Sequence, residues 1–194
     1  TSSISHTNLL RMPDGDLVLN GGFTSVEGES RESHVAKLAP DGTARPGWGA
    51  TTPLGGTSSL SMAVSATGAV VVPRFSIPGL PRTRLYVLNP VDGSDSGLLD
   101  QAEFSTRATF QRLLRDNSTG RVLAATAGLE EIDGAASGSV VAFQSSLMPD
   151  AAWRSTLGNV VVLGSIVHAA IGPTRLAIGG FGFVNGFPAI GLYL

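Results

Sequence analysis

Residues 17–48 read LVLNGGFTSVEGESRESHVAKLAPDGTARPGW, and weaker copies of this stretch return three more times along the 194-residue chain. An apolar run, Leu17 to Asn20, ends at Gly21-Gly22-Phe23. A loop closes on Val26-x-Gly28, a second apolar run carries Val35 and Leu38, and Asp41-Gly42 turns the chain toward Trp48. Upstream, Asn8 to Met12 leads into Pro13-Asp14-Gly15, where proline and glycine fall at the positions a tight turn requires. The pattern predicts a hairpin of Asn8–Met12 with Leu17–Asn20, followed by a third strand from about His34 to Leu38.

The second copy runs through Ser59 to Val64, a turn at Ala66-Thr67-Gly68, Val70 to Val72, Ile77-Pro78-Gly79, Leu85 to Leu88 and Asp92-Gly93, with Pro73-Arg74 in place of the glycine doublet. The third has Phe110 to Leu114, a turn over Asp116 to Gly120, Val122 to Ala125, Ala127-Gly128 at the doublet, Ile132-Asp133-Gly134, Val140 to Phe143 and an expected turn at Met148-Pro149-Asp150. Trp153 falls there where Trp48 falls in the first copy. The fourth comprises Val160 to Leu163, Ile166 to Ile171, a turn at Gly172-Pro173, Leu176 to Ile178, Gly179-Gly180-Phe181, Val184-Asn185-Gly186 and Ile190 to Leu194. The turn glycines Gly15, Gly68, Gly120 and Gly172 are 53, 52 and 52 residues apart.

A period of this length, about four strands long, marks one blade of a β-propeller. The expected fold is all-β: a β-propeller of about four blades, either a closed four-bladed ring or a segment of a larger one. A single domain spans residues 1–194, with blades at about 6–58, 59–109, 110–159 and 160–194, and residues 1–5 available to complete the last. Composition agrees. With 42% hydrophobic and 14% charged residues the chain can bury a core, and 25 glycines and 11 prolines scattered between short apolar runs indicate many tight turns. A net charge of -2, with 13 basic residues thinly spread, gives no electrostatic stripe for nucleic acid. The longest apolar runs are far shorter than the roughly 20 residues a membrane-spanning helix needs, so no membrane insertion is expected. The chain has no cysteine, hence no disulfide framework, thiolate zinc site or cysteine nucleophile.

The phrases LVLNGGFTSVEGESRESHVAKLAPDG and RLAIGGFGFVNGFPAIGLYL resemble the delta-60 repeat, a β-propeller module that reads as apolar strand, GG-F, a valine-x-glycine loop, an alanine-x-leucine strand and a D-G turn. The resemblance covers nearly the whole chain and is degenerate in the middle two copies. Kelch repeats also place Gly-Gly after an apolar strand, but their spaced Tyr and Trp pair is missing. The resemblance implies a scaffold from a large secreted, cell-surface or phage-associated bacterial protein, with no shared catalytic set. It implies an extracellular, cell-surface or virion location.

No residue pattern announces a reaction. Gly179-Gly180-Phe181-Gly182 lacks the Lys-Ser/Thr and the helix of a phosphate loop. Asp14-Gly15-Asp16, Asp41-Gly42, Asp92 to Asp95 and Glu130 to Asp133 lack calcium-loop spacing and read as turns. His6, His34 and His168 fall at different phases of the repeat, and no G-x-S-x-G turn occurs. Asn117-Ser118-Thr119 matches a glycosylation acceptor and reads here as a turn. No catalytic residue, cofactor or metal site is assigned. The candidate contacts are Trp48 and Trp153, as wedges between blades or as sugar platforms, and Arg107, Arg112 and Arg115, which with Arg82 and Arg84 are the densest basic residues. Expected partners are proteins or surface glycans, in a homo-oligomer or a larger assembly. The favoured function is a non-catalytic scaffold or adhesion module. The alternatives are a lectin-like propeller and an enzyme with its site at the central channel.

Overall fold

The computed structural model describes residues 8–30, 34–50, 61–74, 84–99, 104, 109–127, 131–136, 140–151, 153, 162–171, 176–184 and 187–193. The chain is all-β. Among the described residues, four three-stranded antiparallel sheets follow one another, accompanied by two two-stranded ribbons. The first sheet joins β1 (Asn8–Arg11), β2 (Leu17–Asn20) and β5 (Val35–Leu38), with a ribbon of β3 (Ser25–Val26) and β4 (Glu29–Ser30). The second joins β6 (Ala63–Val64), β7 (Val70–Arg74) and β8 (Arg84–Leu88). The third joins β9 (Thr109–Arg115), β10 (Val122–Ala127) and β13 (Val140–Phe143), with a ribbon of β11 (Glu131–Ile132) and β12 (Ala135–Ala136). The fourth joins β14 (Val162–Ile171), β15 (Leu176–Val184) and β16 (Phe187–Tyr193).

The turn chemistry read from the sequence sets the first hairpin of each of the first three sheets. Gly15, Gly68 and Gly120 have φ of 90°, 84° and 73°, the left-handed region that a side chain resists. The turns close through Met12 N to Asp16 O, Ser65 N to Ala69 O and Asp116 N to Arg121 O, each 2.8 or 2.9 Å. Gly172 lies outside the described residues. After the third strand a further turn brings the chain back along the sheet edge, through single bridges Leu38–Ala44, Leu88–Asp95 and Phe143–Pro149. Each of these three sheets therefore has a fourth, one-bridge segment.

Two expectations are corrected. The third-sheet turn was expected at Met148-Pro149-Asp150; it lies at Gln144 to Met148, closed by Gln144 N to Met148 O at 2.8 Å. Leu147 holds its left-handed position at φ 66° where Gly42 and Gly93 stand in the other copies. The core compensates, because the Leu147 side chain is only 2% exposed. In the fourth sheet, Gly179-Gly180 does not end a strand. It lies within β15, which pairs without a break from Ile178 with Tyr193 to Val184 with Phe187.

The first sheet carries the same register but interrupts it: Asn20 pairs with Val35 and Val26 with Glu29, six residues along each arm. Gly21 N reaches His34 O at 3.1 Å, and there the arms part. His34 turns out at φ 57°, its Nδ1 bonds Phe23 O at 2.9 Å, and Phe23 is buried. By register, Tyr193 stands where Val35 does, so β16 is the return arm of the ribbon rather than a counterpart of β5.

The core lies between the sheets. On β7 and β8, Val70, Val72, Tyr86 and Leu88 join Val18, Val35 and Trp48 of the first repeat in one cluster. The alternate residues Val71, Leu85 and Val87 join Phe110, Leu113, Val122, Ala124, Val141 and Phe143 of the third sheet in another. The period-two alternation of a strand thus sends one face of the second sheet to each neighbour. This is why Val70-Val71-Val72 is an unbroken apolar run. On the third sheet the opposite face, with Leu123, Ala125, Val140 and Ala142, is also buried, and β14 runs beside β9 and β10.

A candidate functional site at the first sheet junction

A cleft of about 680 Å³ opens where the first repeat meets the second. The hairpin turn supplies Asp14 and Asp16, β5 supplies Lys37, the returning segment supplies Arg45 and Trp48, and the turn after β8 supplies Pro90 and Asp92. Lys37 occupies the sheet face that sends Val18 into the core, and its register partner on β2 is Val18 itself. A lysine held there must have its charge met. Its Nζ donates to Asp14 Oδ2 at 2.9 Å and to Pro90 O at 3.2 Å, and it lies 3.3 Å from Asp16 Oδ2. Three acceptors thus surround an ammonium with three protons.

Arg45 grips Asp16 with both arms of its fork, Nε to Oδ2 at 3.0 Å and Nη2 to Oδ1 at 2.9 Å. That pairing holds the Asp16 carboxyl below the ordinary aspartate value, with Lys37 adding to the effect and burial opposing it. The same contact raises Arg45. These charges neutralise one another across the turn and β5. They form a clasp, with no hydroxyl or imidazole among the described lining residues.

Trp48 closes the junction. It is 3% exposed, packs with Met62, Val64 and Tyr86, and donates its indole N–H to Pro90 O at 3.2 Å. Next to it, Gly49 N bonds Asp92 O at 2.8 Å. The backbones touch so closely that a Cβ on Gly93 would stand 2.7 Å from Gly49 Cα and 2.8 Å from Trp48 Cδ2. The Asp-Gly turn therefore does two things: it reverses the chain, and it clears space for the neighbouring repeat.

Trp48 has counterparts. Arg45 N, Ser96 N and Asp150 N bond Lys37 O, Val87 O and Ala142 O at equivalent points, and three residues beyond each stand Trp48, Leu99 and Trp153. Leu99, which the aromatic pattern did not point to, is 3% exposed in the second cluster. Trp153 is half-buried, and its backbone N–H reaches Asp150 Oδ1 at 3.4 Å.

Of the arginines, Arg107 and Arg82 lie outside the described residues, and Arg84 is placed on β8. Arg112 and Arg115 lie three residues apart on β9, in regular pairing opposite Ala125 and Val122, which puts them on opposite faces. Arg112 donates to Gln111 O at 2.9 Å. The turn aspartates accept from the backbone two residues on: Asp14 from Asp16, Asp41 from Thr43, Asp92 from Ser94 and Asp116 from Ser118. Those bonds lower Asp41 and Asp92. The hydroxyl of Ser118, and then that of Thr119, lowers Asp116 to about 2.

Sequence reasoning missed Asp16, Lys37 and Arg45 as a unit. The available signal was a lone lysine at a core-facing position in VAKL, downstream of a turn with two aspartates. No family model, curated protein or solved structure matches the chain.

Proposed function

We propose that this protein is a non-catalytic β-propeller of the delta-60 type. It serves as a scaffold or adhesion module of an extracellular or virion assembly and presents its surface to protein partners or glycans. The observation that carries the reading is the repeated relation between sheets. The same alternate face of the first and of the second sheet meets the next one, and the returning Trp48 or Leu99 segment packs into that junction. Identical relations repeated about twisted sheets turn a stack around an axis. The polar groups at the first junction support a structural role, since they bond one another and the neighbouring backbone.

By the same equivalence, the first-sheet face with Leu9, Leu17, Leu19 and Leu38 is the counterpart of the one by which the second sheet receives the first. Leu9 on that face is 61% exposed, and a closed ring brings the fourth sheet up beside it. Small-angle scattering tests this arrangement: a closed ring of this length has a radius of gyration of about 16 Å. A clearly larger value, from an open stack, refutes closure. Screening with chromogenic glycosides, esters and phosphate esters tests the absence of catalysis; turnover lost on Asp16→Asn or Lys37→Met would overturn it.

A further inference from the structure

A second groove, of about 440 Å³, runs across the first strands of three consecutive sheets, β1, β6 and β9. Arg11 and Arg115 stand in it at the same repeat position, each the last residue before the first hairpin turn, pairing with Leu17 and Val122 as Val64 pairs with Val70. Two cations thus flank Val64, over walls that include Met12, Met62 and Leu113. No carboxylate and no aromatic ring is among the described lining residues. Arg115 is half-buried, and its Nε is buried without an acceptor. Arg11 is exposed, and it is in none of the ion pairs among the described residues.

We propose that this groove docks an acidic and apolar segment of a protein partner, its carboxylate taken by Arg11 and Arg115 and its flanking side chains by the methionine and leucine walls. An orphaned guanidinium N–H calls for an anionic acceptor, and a fork of such donors fits a carboxylate. Flexible thioethers and leucine suit aliphatic side chains, whereas a sugar ring would be met by aromatic platforms and more hydrogen-bonding groups. The inference rests on the reading of the protein as an interaction module and names the chemistry of its partner.

The test uses the full chain labelled with nitrogen-15, titrated with N-acetyl-Leu-Glu-Leu-Leu-amide and with its Gln counterpart. The Nε–H signals of Arg11 and Arg115 are followed throughout. The Glu peptide is expected to move both signals and to bind about ten-fold more tightly than the Gln peptide, the effect of one charge-assisted hydrogen-bond pair. Arg11→Gln and Arg115→Gln are each expected to remove most of that difference. Arg11 is exposed, so its variant decides the matter even if Arg115→Gln fails to fold. Equal binding of the two peptides, acetate matching the Glu peptide mole for mole, or N-acetylneuraminic acid binding more tightly than the peptide would each overturn the proposal. Such a failure, with scattering still giving a ring and no turnover found, removes the groove's occupant and leaves the scaffold reading standing.

Discussion

The first and second sheets are joined by Trp48 and by a lysine that two aspartates and an arginine hold in place, whereas the second and third are joined by Leu99 and a group of phenylalanines. At the second junction Phe104 meets Phe110 edge-on, with ring centroids 5.1 Å apart, and Phe143 at 6.4 Å. A polar bridge there is Ser61, whose hydroxyl donates to Leu113 O at 3.1 Å and accepts from Leu113 N at 2.9 Å. Both junctions place the same backbone segment against the next sheet. What differs is how each fills the gap. A lysine at a core-facing position commits the first junction to an ion network, and Val87, at the same position of the second sheet, packs among apolar side chains.

The contrast breaks first at the equivalent wedge positions. Trp48→Ala is expected to destabilise by about 3–5 kcal/mol and Leu99→Ala by about 2–4 kcal/mol, from lost burial plus the cavity left behind. Chemical denaturation measures both. If either change proves neutral, that residue does not wedge its junction. Next in size is Gly93→Ala, at about 2–3 kcal/mol, because the added methyl collides with the Gly49 backbone and the residue must keep a left-handed φ of 71°. Gly42→Ala is the control. It shares the conformation but has open space around its Cβ, so its loss should be limited to about 1 kcal/mol of backbone strain. Equal losses would show that conformation, rather than close approach, governs both turns.

Ser61→Ala should destabilise by about 1 kcal/mol, the loss of a hydroxyl that serves both groups of one peptide. The smallest effect is the one that separates the junctions chemically. Asp16 has a lowered pKa when folded, so its contribution is present above the ordinary value of 3.8 and is lost as pH falls through the lowered value. Asp16→Asn should therefore flatten the fall in stability below pH 3.8, and added salt should weaken the wild type more than the variant. Leu99→Ala should leave that acid limb unchanged. An acid limb that moves with Leu99 and not with Asp16 would reverse the assignment.

Much of this organisation was legible in the sequence. The strands Leu17–Asn20 and Val140–Phe143 were placed to the residue, and Gly15, Gly68 and Gly120 were placed at turns that need a left-handed φ. The third-sheet turn was misplaced because Leu147, not a glycine, takes its left-handed position. Leu99 went unrecognised because a wedge can be filled by any large apolar side chain, and only Trp48 was conspicuous as one. The fourth sheet misled for another reason: the same GG-F phrase is compatible with a broken hairpin or a continuous one.

By itself the sequence determined the repeat, its period, its turns and its all-β character, because these follow from backbone preferences and apolar alternation within a few neighbouring residues. The tertiary structure alone decided which face of each sheet meets which neighbour, that Lys37 and Asp16 form a clasp, that Arg112 and Arg115 point apart, and that Arg11 and Arg115 share a groove. Those relations join residues from different repeats, so they depend on how sheets twist and stack rather than on local pattern.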